Sequence, residues 1–207
     1  MTAPPLARCR IVVFAKAPLA GYAKTRLIPA LGAQGAADLA RRMLNHAVTQ
    51  ALGAGRGEVE LCCAPDSRHA AFASWAQRPG LRLTDQGEGD LGVRMARAIE
   101  RGLTQSAKVL LMGSDAPALD SSVLRNAADA LNTHDAVFVP ALDGGYVLVG
   151  LRRPARHIFE GMLWSTPRVM QQTRERLAEL GLRHAELAPL PDIDEAADLL
   201  HVPRDWL

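Results

Sequence analysis

Aromatic residues are scarce in this 207-residue chain, which has three Trp, two Tyr and four Phe. Proteins that hold single-stranded nucleic acid stack its bases on aromatic platforms beside a basic groove. The formal charge is only +2, from 24 Lys and Arg against 22 Asp and Glu, and the basic residues are scattered. A nucleic-acid partner is therefore not expected. Cysteine is also sparse: Cys9, Cys62 and Cys63 form an odd set with no CxxC spacing for a metal. Cys62 and Cys63 are adjacent in a strand-like run and so point to opposite faces, which makes them poor partners for each other. Buried free thiols in a reducing cytosol are the expectation. No stretch approaches the ~20 apolar residues of a membrane helix, and the apolar run before Lys16 is too short for a leader's apolar region. These absences lead to the expectation of a cytoplasmic protein with no membrane partner. The G-x-S-x-G elbow and the G-x-x-x-x-G-K-[ST] loop are missing too. The six His are dispersed without metal-ligand spacing, and His46 and His69 read as helix-surface residues.

What is present is a globular pattern. Apolar residues make up 48% of the chain, and its length suits one well-buried domain spanning 1–207. Strand-like runs alternate with helical ones: strands at 10–14, 58–63, 81–84 and 108–112, and helices at 34–52, 68–77, 92–103 and 121–131. Leu39, Met43, Leu44, Ala47, Val48 and Ala51 share one helix face, as do Met95, Ala96, Ile99 and Leu103. Asp120 or Ser121 suits the N-cap of the fourth helix. The rhythm then changes. Runs 136–140 and 146–151 are separated only by Ala141-Leu-Asp143-Gly-Gly145, too short for the crossover that parallel neighbours need. One strand should therefore run antiparallel. A helix at 167–180 and a strand near 183–187 precede the tail. This is an α/β fold with a mixed sheet.

Chemistry concentrates in the loops after strands. The first is Lys16-Ala-Pro18-Leu-Ala-Gly21-Tyr-Ala-Lys24-Thr25-Arg26. Cations and free backbone N–H groups at the carboxyl end of a strand, leading into a helix, suit a phosphate chain. The plain alternative is a solvated loop whose Pro18 and Gly21 only shape the turn. The second, Asp85-Gln-Gly-Glu-Gly89-Asp90-Leu-Gly92-Val-Arg94, has glycines that let a ligand approach the backbone; Asp90 or Gly92 could equally just start a helix. In the third, Gly113-Ser-Asp115-Ala-Pro117, Asp115 stands at the end of the most apolar strand. Mg²⁺ favours one or two carboxylates plus substrate phosphates, and Asp115 is placed to be one. The alternative is a turn cap. The fourth group joins Asp143-Gly144-Gly145 to Asp192-Ile193-Asp194. Asp-x-Asp in an extended segment puts both carboxylates on one face and Ile193 inward. Two such charges are costly without a cation between them, although a turn followed by an N-cap for a helix at 195–200, with Asp198 exposed, also accounts for them.

Phe14-Ala-Lys-Ala-Pro…Lys24-Thr-Arg-Leu27, Gly89-Asp-Leu-Gly-Val-Arg-Met95, Gly113-Ser-Asp-Ala-Pro117, Asp143-Gly-Gly-Tyr-Val-Leu-Val-Gly150, Trp164-Ser-Thr166 and Asp192-Ile-Asp194 together resemble the nucleotide-diphospho-sugar transferase superfamily. That superfamily has the glycosyltransferase A fold, a Rossmann-like three-layer sandwich. The small bacterial transferases related to the molybdenum-cofactor guanylyltransferases and to 2-phospholactate guanylyltransferase look most alike; the subfamily includes proteins labelled glycosyltransferases, some linked with arsenosugar formation. The resemblance implies that Lys24 and Arg26 contact nucleotide phosphates, with Lys16, Pro18, Gly21, Thr25, Gly89 and Arg94 around the nucleotide. It implies Mg²⁺ (or Mn²⁺) on Asp115, Asp192 and Asp194. Asp143, Gly144 and Gly145 would line the acceptor pocket, with Ser165 or Thr166 on an acceptor phosphate or hydroxyl. The first loop carries less glycine than the nucleotidyltransferase signature.

These readings favour nucleotidyl transfer: an acceptor phosphate attacks the α-phosphorus of a nucleoside triphosphate and pyrophosphate leaves, with Lys24, Arg26 and Asp115 as the catalytic set. The runner-up is glycosyl transfer from a nucleoside-diphosphate sugar to a small acceptor, with Asp143 as base. A non-catalytic nucleotide-binding module is the third reading. The partners expected are a nucleotide and a small-molecule acceptor; a homodimer is left open.

Overall fold

A computed structural model describes residues 9–206. Residues 1–8, which bear on the leader reading, and residue 207 lie outside the described residues. The order is β1 (Cys9–Lys16), α1 (Ile28–Gly53), β2 (Val59–Ala64), α2 (Ala73–Ala76), β3 (Leu81–Asp85), α3 (Leu91–Leu103), β4 (Lys108–Gly113), α4 (Ser121–Ala130), β5 (Ala136–Pro140), β6 (Tyr146–Leu151), α5 (Val169–Glu179) and β7 (His184–Glu186). The strands form one sheet in the order β3-β2-β1-β4-β6-β5-β7. β6 runs antiparallel to β4 and β5, while the other pairings are parallel. The short link at 141–145 thus produces the expected reversal.

β1 and β2 read as unbroken apolar runs because both of their faces are covered. On one face α1 and α4 bring Leu44, Val48, Leu124 and Ala128 onto the sheet. On the other, α3 and α5 bring Met95, Ile99, Met170 and Leu177. The result is a three-layer α/β/α domain. Cys62 and Cys63 enter opposite layers, and all three thiols are buried and free. Leu103 is only partly buried against its layer. A third, smaller cluster packs Ile193 and Val202 of the C-terminal segment against Leu27, Leu39 and Met43.

Two helices differ from expectation. α1 begins at Ile28, ahead of position 34, because Gly32 at φ +70° inserts a kink that joins a short N-terminal piece to the longer helix. The segment 68–77 is not one helix but a 3₁₀ turn, Ala70–Phe72, followed by the single turn of α2. Phe72, which ends the 3₁₀ turn, and Trp75, in α2, are the buried anchors of this segment, with ring centroids at 6.1 Å. Pro79 then opposes further helix. Among the described residues, no helix is long and apolar enough to cross a membrane.

One charged network lies inside the α3 face. Arg10 of β1 and Glu60 of β2 are 2% and 0% exposed. Arg10 Nη1 donates to Glu60 Oε2 at 3.3 Å, and Glu60 Oε1 accepts from Thr84 Oγ1 of β3 at 2.6 Å and from Arg101 of α3. Removing one partner of a buried pair strands the other charge, at a cost of about 3–5 kcal/mol. Glu60→Ala should therefore lower the urea midpoint by an amount equivalent to about 3–5 kcal/mol. A loss under about 1 kcal/mol would show that the network does not tie these strands together.

Candidate functional site

The interior strand β1 pairs in parallel with β2 on one side and β4 on the other, so the connections diverge there. Ligands of open α/β sheets bind at the carboxyl ends of strands at such a switch point. Phe14 of β1 is in register with Gly113 of β4, which brings the Lys16 loop and the Ser114-Asp115 loop side by side. A cleft of about 490 Å³ opens between them.

The first loop turns back on itself after β1. Tyr22 and Ala23 donate backbone N–H bonds to Leu19 O at 3.1 Å, around Gly21 at φ +77°. Lys24 follows in a left-handed conformation, φ +49° and ψ +46°, and leads into a 3₁₀ turn, Thr25–Leu27, whose Leu27 is fully buried. Lys24 Nζ donates to Asp115 Oδ2 at 2.8 Å and to Asp194 Oδ1 at 3.4 Å. Arg26 Nη1 donates to Asp194 Oδ2 at 2.5 Å. The C-terminal segment is fastened by backbone, as Ile193 N donates to Asp115 O at 2.9 Å. Ile193 is buried, as the Asp-x-Asp pattern requires. Asp198 is not the exposed residue expected: its carboxylate accepts from Asp194 N at 2.9 Å and Glu195 N at 2.7 Å, fixing the turn that presents Asp194. Gly113 leaves room for Asp115 in this position: a Cβ there would lie 2.6 Å from Asp115 Oδ1 and push the carboxylate aside.

Burial opposes the charge on Lys24, but Asp115 and Asp194 outweigh it and raise its pKa. Burial likewise pushes against ionised Asp115, and the adjacent ammonium wins, holding the carboxyl below its usual value. Asp192 has the opposite fate. Burial first, and then the charges of Asp115 and Asp143, push its pKa up to about 6.

The cleft is lined by Lys16, Lys24, Thr25, Arg26, Asp115, Ser165 and Asp194, among others. The other expected positions lie outside that lining. Pro18 and Gly21 shape the first turn. Asp90 caps α3, accepting from Val93 N at 2.9 Å, and Arg94 donates through Nε to Gly89 O at 2.8 Å. Asp143 accepts from Gly145 N at 2.8 Å in a tight turn. Gly144 sits at φ +93° against Pro167, where a Cβ would approach Pro167 O to 2.3 Å. Its carbonyl accepts from Met170 N at 2.8 Å, so this turn docks onto the start of α5. Thr166 donates to Leu163 O at 2.8 Å.

Gln86, Tyr22 and Tyr146 line the cleft too, although the reading from sequence assigned none of them a role of its own. Buried Gln86 donates to Ala15 O and Cys62 O at 3.1 Å and ties the glycine loop to β1 and β2. Tyr22 and Tyr146 also face the cleft, and the Tyr146 hydroxyl is buried without a hydrogen-bond partner. Gln86 carried a signal, as a polar residue directly after a strand in a glycine loop. His46 stacks edge-on against Trp206 at 5.2 Å, and His69 Nδ1 caps the 3₁₀ turn, accepting from Ala71 N at 3.2 Å, so each has a structural position.

The fold is that of nucleotide-diphospho-sugar transferase-like domains. A solved structure from Desulfovibrio desulfuricans G20, provisionally assigned as a nucleotide-diphospho-sugar transferase, is 30% identical, with a TM-score of 0.88 over 97% of this chain and 88% of its own. CMP:2-keto-3-deoxy-manno-octonic acid synthetase, solved with CTP, shares the fold at 14% identity and a TM-score of 0.58, over 94% of this chain and 96% of its own. So does 4-diphosphocytidyl-2C-methyl-D-erythritol synthase from Anaerococcus prevotii DSM 20548, at 10% identity and a TM-score of 0.64, over 96% and 97%. The chain belongs to the bacterial family described as "Uncharacterized protein conserved in bacteria (DUF2064)", whose model matches residues 47–166. That span includes Asp115, Asp143 and Ser165 but neither the first loop nor Asp192–Asp194. No curated protein matches the chain.

The raised Asp192 pKa has a stability consequence. Its carboxyl binds a proton more tightly folded, at about 6, than at its ordinary value of 3.8, so ionising it weakens the fold as pH rises across that window. In metal-free protein, the melting temperature of Asp192→Asn relative to wild type should therefore climb between pH 4 and 6 and level off above. A difference that is flat across the window would show that Asp192 titrates normally.

Proposed function

We propose that the protein is a metal-dependent nucleotidyltransferase that joins a nucleoside triphosphate to a small phosphorylated acceptor and releases pyrophosphate. The observation that carries this reading is the meeting of Lys24 and Arg26 with Asp115 and Asp194 in one cleft at the carboxyl ends of β1 and β4. An acceptor phosphate oxygen forms a bond to the α-phosphorus, the bond between the α-phosphorus and its bridging oxygen breaks, and pyrophosphate departs with the electron pair. An ionised acceptor phosphate needs no general base, which agrees with a cleft in which no described lining residue is His. The work left to the chain is alignment and charge neutralisation. Lys16, Lys24 and Arg26 would hold the phosphates, the guanidinium of Arg26 suiting a β,γ-phosphate as a forked donor. Thr25 and Ser165 offer hydroxyls along the same wall. The fold shared with CMP:2-keto-3-deoxy-manno-octonic acid synthetase, solved with CTP, supports nucleotidyl transfer.

The donor set suits Mg²⁺ or Mn²⁺. Among the described residues no three His, Cys, Asp or Glu form a ready cage, but Mg²⁺ takes one or two carboxylates together with substrate phosphates. The Lys24 ammonium between Asp115 and Asp194 marks a place where a cation is held by two carboxylates. Asp115 and Asp194 would hold the ion, with Asp192 beside them. When bound it would neutralise phosphate charge at the reacting phosphorus and the leaving group.

The 30% identical protein from D. desulfuricans favours a second reading, glycosyl transfer from a nucleoside-diphosphate sugar. A melting panel of nucleoside triphosphates and nucleoside-diphosphate sugars, with and without Mg²⁺, separates the two. At 100 times Kd a ligand adds about 2.7 kcal/mol of stability. Triphosphates should shift the melt. A shift by sugar nucleotides alone would replace nucleotidyl with glycosyl transfer, and a shift by neither class would remove both. Arg26→Ala should leave the melting temperature nearly unchanged, because its ion pair with Asp194 is exposed. Its pyrophosphate-forming kcat/KM should fall about 10²-fold; full activity would take Arg26 out of the phosphate site.

A further inference from the structure

We propose that Lys24 makes this site selective for a metal–triphosphate complex over the free divalent cation. The inference rests on the nucleotidyl-transfer reading and assigns Lys24 a second task within it. In this structure, the groups that would hold phosphate are paired with the groups that would hold metal. Lys24 Nζ lies 2.8 Å from Asp115 Oδ2 and 3.4 Å from Asp194 Oδ1. The second oxygen of Asp194 is taken by Arg26 Nη1 at 2.5 Å, which also lies 3.8 Å from Glu195. Both oxygens of Asp194 are therefore committed to the chain's own cations.

The Lys24 side chain is only 13% exposed, and a buried ammonium is costly unless it stays paired. A free divalent ion approaching Asp115 and Asp194 meets a like charge at contact distance. Evicting that charge would leave an ammonium with no carboxylate partner in a confined place. A triphosphate changes the balance, because its oxygens offer Lys24 and Arg26 new anionic partners while the carboxylates turn to the metal. Each cation then keeps a counter-charge throughout, so the favourable route is arrival of both ligands together.

The backbone supports this placement. Among the described residues Lys24 and Ser165 are the non-glycine positions with positive φ, at +49° and +61°, and both line the cleft. A long side chain in the left-handed region costs free energy and persists where its surroundings determine it. Here those surroundings are two carboxylates on loops far apart in sequence. The same geometry supplies a usable variant, since glycine takes φ +49° without steric cost.

The test is Mn²⁺ binding to the full chain without nucleotide, followed by the electron paramagnetic resonance signal of the free ion. Lys24→Gly should bind Mn²⁺ about tenfold or more tightly than wild type, because a competing charge is gone. The gain should vanish in Lys24→Gly/Asp115→Asn. Lys24→Met, which removes the ammonium and keeps the stem, should repeat the Lys24→Gly result and serves if the glycine variant fails to fold. Equal Mn²⁺ affinity in wild type and both Lys24 variants, or a gain that survives loss of Asp115, would overturn the inference and leave an ordinary ion pair. The triphosphate melting panel keeps the two readings apart. Triphosphate binding without the Lys24 effect removes this inference alone, whereas the Lys24 effect without any triphosphate binding removes nucleotidyl transfer.

Discussion

Everything at the cleft depends on the parallel pairing of β1 with β4. Its register, Phe14 against Gly113, is enforced from both faces by apolar side chains that exclude water, and a slip by one residue would turn each strand's core residues to the wrong layer. The same register delivers two loops of opposite charge to one edge of the sheet. The basic loop and the acidic loop are 91 residues apart at Lys24 and Asp115, yet neither has to search for the other. The hydrophobic sheet carries the entropy cost of bringing them together, so the ionic contacts at its edge need only be modest.

The strands and loops were legible in the sequence for a physical reason. Buried parallel strands must be apolar along their whole length, and the loops that follow them are free of that demand, so a Lys, Arg or Asp in such a loop stands out. The short link at 141–145 betrayed the antiparallel β6 because no helix fits in it. Weaker signals were misread where tertiary contacts set the local geometry. The segment 70–76 buries Phe72 in its 3₁₀ turn and Trp75 in the helical turn after it, a spacing that periodicity alone cannot distinguish from one longer helix. The kink at Gly32 was hidden because an isolated glycine inside a helical pattern is often tolerated.

Side-chain pairing was the least legible level. The sequence pointed to Lys24 and Arg26 as cations and to Asp115 and Asp194 as carboxylates, but not to their neutralising one another across the cleft. Asp143 and its glycines show the reverse case. Their composition suggests a ligand loop, while their hydrogen bonds are those of a turn seated on α5, leaving Asp143 to act on the cleft through its charge on Asp192. Gln86, whose amide stitches β1 to β2, was overshadowed by the glycines around it.

The hydrogen bond from Ile193 N to Asp115 O has a wider consequence. It sets the distance between the two acidic segments through the main chain and not through side-chain rotamers. The dimensions of the charged frame are then insulated from changes in neighbouring side chains. Side chains around the cleft can then change what it fits while the two acidic segments keep their spacing.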